Sequence, residues 1–175
     1  NKPEYIQNQG LEWRSEKELW GAWHIPNSKA IHTKSCFNVE YKSNNIGSRD
    51  YRDYYLDNQN GEDIILLGDS FAEGIGIEIQ HTLAKEIEKI TDRNVLNFAS
   101  SHSFGPVQYF LVYQKLASLY PHKSILIMFL PGNDLEDNDP KRMHIYGTRY
   151  RPYYKKESDG KYEIVYSDTA IKRDS

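Results

Sequence analysis

Three short polar clusters in this sequence follow apolar runs, and together they contain the groups that acyl transfer requires. The clusters are Gly68-Asp69-Ser70, residues 100–105, and Gly132-Asn133-Asp134. In a parallel sheet the carboxyl ends of neighbouring strands meet at one rim, and ligands bind there. A serine at such a rim can attack an acyl carbon while nearby N–H groups stabilise the resulting oxyanion. The sequence therefore predicts a nucleophilic site shared by three strand ends.

Ser70 is the predicted nucleophile. It follows Asp63-Ile64-Ile65-Leu66-Leu67, whose unbroken apolar character is typical of a strand buried on both faces. Gly68 lets the chain bend sharply after that strand, so the serine hydroxyl can face the crevice and the Ser70 N–H can donate to an oxyanion. Taken alone, Ser70 is equally well read as an ordinary serine in a strand-to-helix turn.

Asn133 is the predicted second oxyanion donor, through its side-chain amide. In isolation it also fits a plain Gly-Asn turn. Asp69, Gly105 and Asp134 are predicted to contact substrate, and capping of the turn is the competing interpretation for Asp134. These roles depend on the three clusters meeting at one rim.

Two of these blocks carry a resemblance to a known family. Gly68-Asp69-Ser70-Phe71 resembles the G-D-S nucleophile block of the SGNH/GDSL hydrolases, and Pro131-Gly132-Asn133-Asp134 resembles their G-x-N-D block. Residues 97–105 stand where the family has its glycine-bearing block, and the resemblance spans roughly residues 44–166. It implies a flavodoxin-like three-layer α/β/α domain. It also implies hydrolysis or transfer of acyl esters, often acetyl groups on carbohydrates, through an acyl-serine at Ser70.

The sequence departs from the family pattern in two places. His102 stands where the family has a glycine, although its backbone N–H can still serve the oxyanion hole, with Ser103 or Gly105 as alternative donors. The family carries its general base in a late D-x-x-H block, and no D-x-x-H occurs in this sequence. A serine without a base is a poor nucleophile at neutral pH. The base is therefore expected outside this chain or absent, with His102 the best substitute within it.

The remaining histidines are weaker candidates for the base. His81 is expected near a helix start and His122 after a helix end, and His144 comes near the site only if its loop folds back. His24 and His32 fall in the N-terminal segment, which is predicted to be irregular.

The predicted fold is an α/β domain built on a parallel sheet. Apolar runs alternate with amphipathic segments, and this order favours a parallel sheet with helices on both faces. We predict strands at 63–67, 94–98 and 124–130, and helices at 83–91 and 106–120. A late hairpin is predicted from residues 150–156 and 162–166, which flank Ser158-Asp159-Gly160. Residues 1–62 are predicted to be an irregular segment that wraps residues 63–175 within the same domain.

Two surface features admit alternatives. Trp13, Trp20 and Trp23 are expected to cover a hydrophobic edge, and a sugar-stacking platform is the alternative. The basic residues between 141 and 156 are expected to form the solvated face of the hairpin, and contact with an anionic sugar or a partner is the alternative.

Composition narrows the function classes. The chain has 175 residues, a net charge of −3 and an estimated pI near 6.1, which argues against nucleic-acid binding. No apolar run has the roughly 18 residues of a membrane span. We predict no metal and no cofactor, because no histidine pair has ligand spacing and no dinucleotide or phosphate-loop motif is present. The compartment and the oligomeric state stay open.

The predicted activity is ester hydrolysis on a small-molecule or carbohydrate ester. Two alternatives stay open: a catalytically silent SGNH-like binding domain, and an O-acyltransferase acting on polysaccharide. The missing D-x-x-H and the unusual His102 favour the silent domain. A hydrolase and a transferase share the same acyl-serine, so the sequence does not separate them.

Overall fold

The structure, a computed structural model, describes residues 5–7, 13–57, 61–101, 104–139 and 150–167. Its strands are β1 (Tyr5–Gln7), β2 (Arg14–Lys17), β3 (Gly21–His24), β4 (Lys29–Lys34), β5 (Phe37–Lys42), β6 (Ile64–Gly68), β7 (Val95–Asn97), β8 (Ser124–Met128), β9 (Pro152–Lys156) and β10 (Tyr162–Tyr166). Its helices are α1 (Ser70–Glu73), α2 (Leu83–Thr91), α3 (Pro106–Lys115) and α4 (Asp134–Asp137). Single 3₁₀ turns lie at Ile79–His81 and Ala117–Leu119.

A three-stranded parallel sheet in the order β7-β6-β8 forms the centre of the α/β part. β6 pairs in parallel with β7, where Ile64 lies opposite Val95, and in parallel with β8, where Ile64 lies opposite Ser124. All three strands therefore run in the same direction. The predicted alternation of strands and helices and the parallel sheet are confirmed. The helix predicted over 106–120 is shorter than expected, because α3 ends at Lys115 and a 3₁₀ turn follows.

The two faces of β6 pack against different helices. Ile65 and Leu67 lie in one apolar cluster with Val107, Leu111 and Val112 of α3. Ile64 and Leu66 lie in a second cluster with Ala72 of α1 and Ala84 of α2. This explains why β6 has no polar alternation, since both of its faces are removed from water.

Strand β8 is apolar like β6 but is much more exposed. Ile125, Leu126 and Ile127 have 43%, 38% and 56% of their surface accessible. β8 pairs with β6 along one edge, and among the described residues no strand pairs with its other edge. Its apolar composition therefore predicted the strand correctly but not its burial.

The N-terminal segment is built from short strands, so the prediction that it is irregular is wrong. β2 and β3 form a hairpin, and β1, β4 and β5 form an antiparallel sheet in the order β1-β4-β5. Buried polar side chains obscured the pattern, because Ser15, His24 and His32 occupy inward positions normally held by apolar residues. Within this segment the alternating residues 37–41 do predict a strand, and the structure has β5 there.

The three tryptophans are buried, so the sugar-stacking alternative is wrong. Trp20 and Trp23 meet edge to face, with ring centroids 6.0 Å apart, and both belong to the apolar cluster that contains α3. Trp23 Nε1 donates to the carbonyl oxygen of Ile46 at 2.8 Å, which satisfies its polar edge. Trp20 and Trp23 join the N-terminal strands to the α/β part, as the covering interpretation expects, whereas Trp13 packs within the N-terminal strands against Val39 and Tyr41.

The late hairpin is confirmed as the antiparallel pair β9 and β10. Among the described residues, no helix combines the length and the apolar character needed to cross a membrane.

Because β6 is buried and β8 is exposed, the same kind of substitution should have different effects on stability in these two neighbouring strands. Ile65→Ala removes a fully buried side chain and should lower the free energy of unfolding by about 2–5 kcal/mol. Ile127→Ala changes a side chain that is 56% exposed and should cost less than about 1 kcal/mol. Chemical denaturation of both variants measures the difference, and equal losses would contradict this assignment of the core.

Candidate active site

The chain turns directly from β6 into α1 at Ser70. Asp69 caps this short helix, because its Oδ1 accepts a hydrogen bond from the Phe71 N–H at 2.9 Å. A Cβ at Gly68 would approach the Cβ of Ala72 to 2.4 Å, so this position requires glycine. Ser70 itself is half-buried. The sequence thus folds locally into the tight strand-to-helix turn expected for the nucleophile.

Asn133 lies beside this turn, although it is far away in the sequence. Its Nδ2 donates a hydrogen bond to Asp69 Oδ2 at 2.9 Å. The segment after β8 is therefore joined to the residue that precedes Ser70. The structure brings two of the predicted clusters to the same rim, as the sequence predicts.

The amide of Asn133 has a defined orientation. One N–H is held by Asp69, whereas the second contact of Nδ2, to Asp137 Oδ2, is long at 3.5 Å. The carbonyl oxygen Oδ1 is buried and has no hydrogen-bond partner among the described residues. The second N–H is thus only weakly engaged, and its role as an oxyanion donor stays a prediction.

Asp134 has the contacts of a turn-capping residue. Its fully buried carboxylate accepts hydrogen bonds from the Leu130 N–H at 2.7 Å and from the Tyr109 hydroxyl at 2.8 Å. Burial raises the pKa of Asp134, and burial together with the carboxylate of Asp134 raises the pKa of Tyr109 well above its ordinary range. Both carboxylate oxygens have internal partners, and substrate contact by Asp134 stays a prediction.

The second polar cluster is only partly described. Gly105 precedes α3, and its N–H donates to Gln108 Oε1 at 2.9 Å, so this N–H is already used inside the protein. A Cβ at Gly105 would lie 3.1 Å from the Cβ of Asp137, which indicates close packing against α4 as the reason for glycine. His102 and Ser103, predicted as base and alternative donor, lie outside the described residues.

Arg151 departs from the prediction of a solvated basic face, whereas Lys155 and Lys156 are exposed as predicted, and Lys141, Arg142 and Arg149 lie outside the described residues. Its buried guanidinium lies 3.4 Å from Asp137 Oδ1, and it also donates to the Asp137 carbonyl oxygen and to Gln108 Oε1. Asp137 is the same carboxylate that lies near Asn133, so Arg151 balances negative charge beside the predicted oxyanion donor. Nothing in a run of basic residues distinguishes the one that is buried.

Sequence reasoning missed a buried ion pair at the other end of α1. Glu73, one helical turn after Ser70, has an exposed fraction of only 2%, and its Oε1 lies 3.3 Å from His24 Nε2. Burial alone would raise the pKa of Glu73, yet the positive charges of His24, Arg49 and Arg14 lower that pKa to about 2. Its spacing from Ser70 places Glu73 near the nucleophile, but no sequence signal connects it with His24.

The other described histidines are engaged away from Ser70. His32 is buried against the Tyr41 hydroxyl at 2.9 Å, His122 contacts the Tyr120 carbonyl oxygen at 2.7 Å, and His81 is exposed beside Glu86. His144 lies outside the described residues. Within the part of the chain that the structure describes, no histidine forms a hydrogen bond with Ser70, and no group of three potential ligand residues is arranged to hold a metal ion.

A cavity of about 220 Å³ lies at the opposite end of the sheet, where the parallel strands begin. The guanidinium of Arg52, which lines this cavity, is already engaged, because it donates to Asn94 at 2.8 Å and to Glu88 at 2.7 Å. Because it lies at the starts of the strands, this cavity is separate from the rim that carries Ser70.

A scan against protein-family models, a search of curated proteins and a search of solved structures each found no match to this chain.

The lowered pKa of Glu73 predicts how the free energy of unfolding depends on pH. A carboxyl group whose pKa falls from about 4.5 to about 2 on folding stabilises the folded state above its unfolded pKa, and this stabilisation is lost as the pH falls. Between pH 5 and pH 2 the wild type should lose up to about 3 kcal/mol that Glu73→Gln does not lose. Glu86→Gln is the control, because its carboxylate is exposed and screened by water. Identical acid dependence of unfolding for wild type and Glu73→Gln would contradict the assignment.

Proposed function

We propose that this chain is a serine-dependent acyl-ester hydrolase of the SGNH/GDSL type, with Ser70 as nucleophile. The observation that carries the proposal is the hydrogen bond from Asn133 to Asp69, which holds the predicted oxyanion donor beside the nucleophile turn. The sheet order β7-β6-β8 supports the finer proposal of a flavodoxin-like three-layer fold, since α3 packs on one face of β6 and α1 and α2 on the other. The proposed substrate is a small-molecule or carbohydrate ester.

The reaction proceeds in two halves. The Ser70 Oγ attacks the acyl carbon, its proton passes to a general base, and the carbonyl oxygen becomes an oxyanion. The Ser70 N–H and the second N–H of Asn133 donate to that oxyanion, each contributing on the order of 3 kcal/mol to the transition state. Collapse breaks the ester C–O bond, and the alcohol leaves with the proton. Water then attacks the acyl-serine and gives a proton to the base. Collapse breaks the bond between the acyl carbon and Ser70 Oγ, the proton returns to Oγ, and the carboxylic acid is released, with His102 as the proposed base within this chain.

The charges around the rim are compatible with a developing oxyanion. One carboxylate oxygen of Asp69 accepts a hydrogen bond from the Phe71 N–H and the other from Asn133, so both oxygens of this anion are hydrogen-bonded. Asp137 is paired with Arg151, and Asp134 is shielded by internal donors. Repulsion between the oxyanion and these carboxylates is reduced accordingly.

A catalytically silent binding domain is the second candidate. It is favoured by one observation: the described histidines, His24, His32, His81 and His122, all have contacts elsewhere. In such a domain the same rim binds an acylated ligand without cleaving it.

Replacing Ser70 tests the proposal. The wild-type chain should be labelled by a fluorophosphonate probe and should hydrolyse p-nitrophenyl acetate, and Ser70→Ala should abolish labelling and lower hydrolysis by at least about 10³-fold, because the attacking atom is gone. Ser118→Ala, an exposed serine after α3, is the control and should behave as wild type. Mass spectrometry of the labelled peptide identifies the modified residue.

Two results would count against the hydrolase. Labelling that survives in Ser70→Ala would place the nucleophile elsewhere. A wild-type chain that is neither labelled nor active, yet binds an acylated sugar in calorimetry, would favour the silent binding domain.

A further inference from the structure

We propose that the buried ion pair between His24 and Glu73 positions the turn that carries Ser70, so that the N-terminal strands control the reactivity of the nucleophile. The inference rests on the proposed function of Ser70. It assigns His24, Glu73 and Arg49 as positioning residues, since they act on the turn and not on the substrate.

The ion pair joins two parts of the chain that are distant in sequence. His24 ends β3 and is fully buried, and Glu73 ends α1, three residues after Ser70. His24 Nδ1 lies 2.9 Å from the carbonyl oxygen of Gly47, which can only accept a hydrogen bond. His24 Nε2 faces the anionic carboxylate of Glu73 at 3.3 Å. Nδ1 therefore donates to Gly47, and Nε2 lies within ion-pair distance of the Glu73 carboxylate, away from water.

Arg49 binds the backbone that follows the same helix. Its buried guanidinium donates to the carbonyl oxygens of Glu73 at 3.3 Å and of Ile77 at 2.6 Å, and also to that of Gly74. These carbonyl groups lie at and beyond the end of α1, where intrahelical partners are lacking. The guanidinium also stacks over the Tyr41 ring, 3.9 Å from its centroid.

Tyr41 of β5 also contacts the loop that follows α1, residues 74–77. Its hydroxyl accepts a hydrogen bond from the Gly76 N–H at 2.6 Å. Gly74 and Gly76 have φ values of 90° and 74°, a left-handed conformation that glycine adopts without strain. The two glycines permit the loop, and the N-terminal residues hold it in one conformation.

The contacts of this network concentrate on residues 73–77, immediately after the nucleophile. On the other side of Ser70, Asp69 is held by Asn133. Side chains from other parts of the chain thus hold the residues on both sides of Ser70. Removing one charge of a buried pair leaves the other without its counterion, so a change at Glu73 is expected to loosen this end of the turn first.

Glu73→Gln tests the inference with two readouts on the full chain. Hydrogen exchange monitored by mass spectrometry should show at least about tenfold faster exchange in residues 70–77, with residues 83–91 of α2 unchanged. Fluorophosphonate labelling of Ser70, measured well below the unfolding temperature, should slow by at least about tenfold.

Glu88→Gln is the matched control. Glu88 is a half-buried carboxylate on α2, paired with Arg52 at 2.7 Å and with Lys85 at 2.9 Å. Its removal should speed exchange in α2 while leaving residues 70–77 and the labelling rate unchanged. Restoration of the labelling rate in the double variant His24→Gln with Glu73→Gln, which removes both members of the pair, would support the pair as the positioning element.

Tyr41→Phe covers the case in which Glu73→Gln does not fold. It removes the hydroxyl that accepts from Gly76 and also contacts His32, and it should speed exchange at 74–77 and slow labelling. Unchanged exchange at 70–77, uniform acceleration over the whole chain, or wild-type labelling despite a loosened turn would each overturn the inference. An unlabelled wild type would instead overturn the proposed function, and the exchange data would still decide whether the pair holds the turn.

Discussion

The hydrogen bond from Asn133 to Asp69 is the contact on which the arrangement of the rim depends. Backbone pairing aligns β8 with β6, but it does not determine where the side chains that follow the two strands come to lie. A donor on one strand end and a carboxylate on the other fix that relationship, and an ionised acceptor makes such a bond stronger than a neutral one. Asp69 also caps α1, so the same carboxylate orients both the Ser70 turn and the amide of Asn133.

Two buried arginines from outside the parallel sheet support the two sides of this contact. Arg49 binds the carbonyl groups after α1, and Arg151 binds the carboxylate and carbonyl groups of Asp137 at the end of α4. Burying a guanidinium is costly, and the hydrogen bonds that these arginines make to α1 and α4 offset part of that cost. The N-terminal segment, through Arg49, and the residue before the late hairpin, Arg151, thus act on the rim through charge as well as through apolar packing.

The sequence was informative where a residue's environment depends on its near neighbours. The apolar run before Ser70, the amphipathic segment at 83–91 and the turn at Ser158-Asp159-Gly160 each predicted the observed element, because periodicity and turn chemistry are local. The contact of Asn133 with Asp69, the residue before Ser70, was predictable because parallel strands end at one rim. The His24–Glu73 pair and the burial of Arg151 depend on contacts between distant segments, and no local pattern encodes them. The N-terminal strands were missed for a related reason, since their inward polar residues find partners only in the folded chain.

The most direct test of the central contact is a double-mutant cycle on the free energy of unfolding, with Asp69→Ala, Asn133→Ala and the double variant. A hydrogen bond to a carboxylate between these residues predicts a coupling energy of about 1–3 kcal/mol, so the double variant should lose clearly less than the sum of the two single losses. Single losses that add to within about 0.5 kcal/mol would show that the two side chains do not interact, and would contradict the account of the rim.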